Sequence, residues 1–251
     1  LLRLLAAHRK ISALVSLDLR PPVFTSSKVQ VEYADVRDPE IGRYFKDCDV
    51  VVHLAFLLSG YHDRHVFNSI NVEGSKNVFR QAVAAGVKHL VFCSSVAAYG
   101  VVPGHPLPLV EESPRHFQPD FAYSASKYQV EKFLDDLGRD HPELLISRVR
   151  PAVLLGAYMP NVFGAMLRRR LLPDPGGPMQ FVWDEDVADA IVQLILKSIP
   201  GAFNLAADEP LTAKQLAREC GLRTVARPPL ILARPLAQLS RLAERMRVGY
   251  S

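Results

Sequence analysis

Asp49-Val50-Val51-Val52-His53-Leu54-Ala55 and Lys88-His89-Leu90-Val91-Phe92-Cys93-Ser94 are apolar runs separated by a helical pattern over residues 63–85 that closes at Gly86. Each run is near-continuously hydrophobic, as a strand covered on both faces must be, and such strands belong to parallel sheets whose crossover helices do the covering. The pattern extends outward. Upstream, Ser12-Ala13-Leu14-Val15-Ser16-Leu17-Asp18 is a buried strand ending in an acid before Pro21-Pro22, and residues 29–36 form another. A short helix is expected near residues 39–46. Downstream come a helix over 123–138 and a strand over 144–150. Strands alternating with helices at this spacing predict an α/β fold, a doubly wound parallel sheet with helices on both sides.

The second half is less regular. Pro103, Pro106, Pro108, Pro114 and Pro119 crowd the loop after the 88–94 strand, and Pro173-Asp174-Pro175-Gly176-Gly177-Pro178 forms another. Long loops at the carboxyl ends of strands are where α/β folds build substrate pockets. A helix over 184–199, a strand over 202–206 and a helix over 212–220 with Thr212 as N-cap follow. The segment 233–247 is amphipathic and basic and reads as a packed or frayed helix. Residues 1–150 are therefore expected to form the sheet domain and 151–251 mostly a smaller C-terminal substrate lobe, with 181–198 returning to the sheet.

Composition removes whole classes. With 49% hydrophobic residues, 251 residues bury a full core. The net charge of +4 is spread along the chain apart from Arg168-Arg169-Arg170, so no nucleic-acid footprint is expected. Cys48, Cys93 and Cys220 lie far apart without C-x-x-C spacing, which argues against a disulfide scaffold or zinc site and fits a reducing cytoplasm. His62 and His65 have no third metal ligand nearby and read as solvated. No apolar run reaches the length of a membrane span.

The sharpest chemical signal is Tyr123-Ser124-Ala125-Ser126-Lys127 on a predicted helix, preceded by Ser94-Ser95 at a strand end. Positions i and i+4 share a helix face, so phenol and ammonium can enter one site. A tyrosine of ordinary pKa, about 10, is a poor base near neutrality, and an adjacent cation favours its phenolate. Ser95 can then hold a reacting oxygen while Tyr123 moves the proton. No side chain accepts a hydride, so a nicotinamide cofactor is implied.

Leu17-Asp18-Leu19-Arg20, Ala34-Asp35-Val36-Arg37, Val51-Val52-His53-Leu54-Ala55, Asn71-Val72-Glu73-Gly74-Ser75-Lys76-Asn77, Phe92-Cys93-Ser94-Ser95-Val96-Ala97-Ala98-Tyr99-Gly100, the Tyr123 motif, Arg150-Pro151 and Val182-Trp183-Asp184-Glu185-Asp186-Val187-Ala188 occur in order along most of the chain. Together they resemble the extended short-chain dehydrogenase/reductases, the NAD-dependent epimerase/dehydratase family. The resemblance implies a Rossmann-type sheet and a catalytic set of Ser95, Tyr123 and Lys127. By it, Asp18 accepts the adenosine ribose hydroxyls, which favours NAD over NADP, while Arg20 beside it keeps NADP open. Asp35 and Val36 frame the adenine. Leu54, Ala55 and Phe56 lie along the pyrophosphate and ribose, and Asn71 buttresses the site. Ser94, Pro151, Tyr123 and Lys127 complete the cofactor contacts, and a homodimer through the two long helices is implied.

Two departures qualify the resemblance. The family's glycine-rich turn is absent, and Leu1 to His8 reads as the helix that follows it. Upstream sequence is therefore expected to exist, carrying that turn and a central strand, and a chain truly without them is expected to bind NAD weakly. Val96 and Ala97 stand where sugar-nucleotide dehydratases carry proton-transferring acids, and Met179-Gln180 where epimerases usually carry a diphosphate-binding arginine. The substrate expected is a small molecule, a nucleotide sugar or a less charged alcohol or ketone. The competing reading is a dinucleotide-binding regulator or scaffold without catalysis.

Overall fold

The structure, a computed structural model, describes residues 1–58, 63–102, 104–105, 107–156, 171–173 and 177–225. Expectations for His62, for Arg168 to Arg170 and for the 233–247 helix lie outside these residues. The chain divides into two compact units, residues 1–156 with 181–207, and residues 157–180 with 208–251.

The first unit runs α1 (Leu2–Ala7), β1 (Leu14–Asp18), β2 (Val29–Tyr33), β3 (Val50–His53), α2 (Arg64–Asn68), α3 (Ser75–Ala84), β4 (His89–Cys93), α4 (Ala122–Asp140), β5 (Leu145–Pro151) and β6 (Val153–Leu155). It resumes with β8 (Phe181–Trp183), α5 (Asp184–Lys197) and β9 (Gly201–Leu205). The second unit holds β7 (Leu171–Pro173), α6 (Ala213–Glu219) and β10 (Arg223–Val225). There β7 pairs with β10 in parallel, and Thr212 caps α6 by accepting the Gln215 N–H at 3.2 Å.

All named strand pairs are parallel. Strands β3, β4, β5 and β9 form a four-stranded sheet in that order, while β1 with β2 and β6 with β8 form separate pairs. The alternation of side chains along a strand explains the layers. On β4, Leu90 and Phe92 enter a cluster with Phe79, Val130 and Leu134 from α3 and α4, whereas Val91 enters another with Val187 and Ile191 of α5. A strand packed on both faces must be apolar throughout, as His89–Cys93 nearly is. Each of these fully buried side chains contributes about 1.5–3 kcal/mol. Leu17, Ala34 and Val36 from the β1–β2 side pack onto the first cluster.

The helix expected over 63–85 is not a uniform α-helix. Between α2 and α3 lies a π-helical segment, Ser69–Gly74, which carries the buried Asn71. A side chain at Gly74 would lie 2.5 Å from Val36, so the close approach of this segment requires glycine.

Candidate active site

Tyr123, Lys127 and Glu131 recur every fourth residue of α4, and that periodicity sets them on one face against the carboxyl end of β4. Ser95 is near enough to the Tyr123 hydroxyl to favour its phenolate. Ser95 caps the 3₁₀ turn Val96–Tyr99, its Oγ accepting the Ala97 N–H at 3.2 Å. The Ser124 hydroxyl donates to the Ala97 carbonyl at 2.7 Å, tying the first turn of α4 to the same turn. Lys127 is buried; its Nζ donates to the Cys93 carbonyl at 2.7 Å. It also lies 3.5 Å from the centroid of the Phe56 ring and 4.7 Å from that of Phe92. The Phe56 and Tyr123 rings meet edge to face at 5.7 Å.

Burial dominates the electrostatics. It pushes Lys127 down to about 8, against the opposing influence of Cys93 and Glu131. It pushes the Tyr123 phenol up to about 12; the Ser95 hydrogen bond works the other way, and Cys93 adds to the rise. The sequence reading expects Lys127 to make the phenol more acidic. In this arrangement the ammonium is turned onto the Cys93 carbonyl and the aromatic rings, 5.7 Å from the centroid of Tyr123, and desolvation of the phenol prevails.

A second array supports the segment after β3. Asn71 Oδ1 accepts the Leu57 N–H at 2.7 Å, and its Nδ2 donates to the Leu57 carbonyl at 3.0 Å. The side chain thus acts as a short strand against the segment that carries Phe56. The Ser75 hydroxyl donates to the Asn71 carbonyl at 2.6 Å, and His53 Nε2 lies 2.8 Å from the same hydroxyl oxygen. With its one proton given away, Ser75 can only accept, so Nε2 of His53 carries the hydrogen. Between Phe79 and Phe92 the imidazole is held neutral, its pKa pushed by burial down to about 3.

The remaining positions occupy strand ends. Asp18 closes β1 and is exposed, with Oδ1 accepting the Arg20 N–H at 2.9 Å; Arg20 is exposed as well. Asp35 is gripped by Arg37 through Nε at 2.9 Å and Nη2 at 2.6 Å, and this pairing holds its carboxyl below the usual range. Val36 is packed by Gly74, and its carbonyl accepts the Asn77 side chain at 2.9 Å. Leu54 and Ala55 are exposed after β3. Pro151 is buried at the end of β5. Ser94 points inward: its hydroxyl donates to Glu131 Oε1 at 2.5 Å, so it does not share the Ser95 position. Glu131, Asn77 and Ser75 carry no role in the sequence reading. For Glu131 the available signal is its place four residues after Lys127.

These residues fit a dinucleotide. The Asp18 carboxylate is open to solvent with acceptor capacity left, and Lys127 spends one of its three N–H donors on Cys93. Among the described residues there is no group of three or more metal-ligating side chains and no helix long and apolar enough to cross a membrane.

A sequence profile of the NAD dependent epimerase/dehydratase family matches residues 1–206, and the chain belongs to that family. NAD is accordingly the family's cofactor. An uncharacterized Mycobacterium tuberculosis protein is 24% identical over 231 residues, covering 86% of this chain. The chain spans 61% of that relative's length. The Arabidopsis thaliana 3beta-hydroxysteroid-dehydrogenase/decarboxylase isoform 2 is 28% identical over 181 residues, 66% of this chain and 31% of that protein. Among solved structures, dTDP-glucose 4,6-dehydratase DesIV from Streptomyces venezuelae with NAD and TYD bound superposes with a TM-score of 0.75 at 21% identity, covering 90% of this chain and 80% of that one. UDP-glucose 4-epimerase from Bifidobacterium longum in complex with NAD+ and UDP gives 0.68 at 20% identity, with coverages of 80% and 71%. Both share the parallel-sheet α/β fold.

Proposed function

We propose that the protein is an NAD(P)-dependent oxidoreductase or epimerase acting on a hydroxyl or keto group of a small molecule through Ser95, Tyr123 and Lys127. The observation that carries this reading is the buried Lys127 ammonium one helical turn from Tyr123 on α4, held on the Cys93 carbonyl, with Ser95 favouring the phenolate. A nicotinamide, when bound, supplies the acceptor and donor of hydride. Tyr123 takes the proton of the substrate hydroxyl on oxidation and returns one to the carbonyl oxygen on reduction. Ser95 orients that oxygen. Lys127 holds positive charge beside the phenol, and Asp18, Asp35, Val36, Leu54, Ala55 and Asn71 line or brace the dinucleotide slot.

Val96 and Ala97, next to Ser95, cannot move a proton, which disfavours dehydration of the kind named for the 4,6-dehydratase relative. A less charged alcohol or ketone is favoured over a nucleotide sugar by the Met179-Gln180 pair. The test is to incubate the protein with NAD against panels of nucleotide sugars, steroids and small hydroxy compounds, following NADH absorbance and product stereochemistry. NADH formed in proportion to product identifies a dehydrogenase; epimerised product without net NADH identifies an epimerase. NAD binding with no turnover that depends on Tyr123 supports the non-catalytic regulator instead.

A further inference from the structure

Glu131 is fully buried, an expensive place for a carboxylate, and it lies outside the reacting set. It accepts the Ser94 hydroxyl at 2.5 Å, Arg150 Nε at 2.9 Å and Nη2 at 2.6 Å, and Arg115 Nη1 at 2.8 Å. Burial raises its carboxyl, but Arg150 by hydrogen bond and charge, the Ser94 hydrogen bond and the charge of Arg115 together hold it below its ordinary range.

The arrangement has a register. Tyr123, Lys127 and Glu131 stand at i, i+4 and i+8 on α4, and they bind three consecutive residues at the end of β4. Tyr123 meets Ser95, Lys127 meets the Cys93 carbonyl, and Glu131 meets the Ser94 hydroxyl. Arg150 then ties the third contact to β5. A slip of α4 along the strand end would break all three at once.

We propose that Glu131 is a positioning residue of this site: with Arg150 it locks the register in which α4 lays Tyr123 and Lys127 against the end of β4, and its carboxylate stands one helical turn from the Lys127 ammonium as a counter-charge. The proposal rests on the functional reading above for its purpose, but its geometry stands without turnover. The groups facing Lys127 are His53 from β3, Cys93 from β4, and Tyr123 and Glu131 from α4 itself. Those facing Glu131 are Ser94, Arg150 from β5 and Arg115 from the loop before α4, with Asp135 and Arg148 beyond Arg115. His53 is neutral, so among these groups Cys93 and Glu131 favour the ammonium and the two arginines oppose it.

The test is a pH titration of the Lys127 Nζ resonance by nitrogen-15 NMR in the protein without cofactor or substrate. Glu131→Gln keeps the shape and removes the charge; the Lys127 midpoint is expected to fall by about half a pH unit or more. Arg115→Gln removes an opposing cation from a partly exposed position and is expected to raise it. A folded Glu131→Gln protein with an unmoved midpoint overturns the proposal. Should that variant not fold, an unmoved or lowered midpoint in Arg115→Gln overturns it. Failure of the functional reading shows separately, as NADH binding that is indifferent to Lys127→Met.

Discussion

The ammonium of Lys127 rests 3.5 Å from the centre of the Phe56 ring while donating to the Cys93 carbonyl at 2.7 Å. That ring excludes water from the cation more than any charge stabilises it, which is why burial leads among the influences on Lys127. Phe56→Ala is expected to raise the midpoint from about 8 toward the ordinary 10.5, by about one pH unit. Competitive acylation of Lys127 across pH, read by mass spectrometry, checks this; an unchanged reactivity profile contradicts it.

Tyr123→Phe removes the hydroxyl that meets Ser95 and leaves the ring that packs on Phe56. Turnover is expected to fall by about 10²–10⁴-fold, while the NADH dissociation constant, measured by fluorescence, stays within a few-fold of the wild type. A variant that keeps its rate would remove the proton-transfer role.

His53 titrates near 3 in the fold, against an ordinary 6.5. The unfolded chain therefore binds the extra proton between these values, and folding stability is complete above about pH 6.5 and drains as pH falls below it, by up to ~1.4 kcal/mol per pH unit. Burial lowers His89 as well and adds in the same direction. Urea unfolding at mildly acidic and neutral pH should show this slope, shallower in His53→Gln. Equal slopes would mean that the imidazole is not desolvated.

Asn71 replaces strand pairing for Leu57 with both of its amide groups. Asn71→Leu is expected to cost about 1–3 kcal/mol, the sum of two such bonds to backbone, and to speed hydrogen exchange at the Leu57 amide. Exchange as slow as in the wild type would show that the segment holds itself.

Much of this is legible in the sequence. Continuous apolar runs such as His89–Cys93 announce strands packed on both faces, and the spacing of Tyr123 and Lys127 announces a shared helix face because helical periodicity is local. What stays hidden is whatever depends on burial and on partners distant in sequence. Burial lifts Tyr123 and lowers Lys127, and the rings packed there, Phe56 against both and Phe92 against Lys127, are linked to α4 by no local pattern. The inward turn of Ser94 follows from a carboxylate 37 residues away. The π-helical segment at Ser69–Gly74 is set by packing on Val36, beyond the reach of periodicity.

The central claim is that the Tyr123 phenol is the proton carrier of an NAD-linked reaction, although in the ligand-free protein it titrates at about 12. The direct measurement is the near-ultraviolet phenolate absorbance of wild type minus Tyr123→Phe across pH, with and without saturating NAD. A midpoint near 12 is expected for the protein alone and one lowered by several pH units, toward the working range, once NAD is bound. A Tyr123 midpoint that NAD leaves where it was would contradict it.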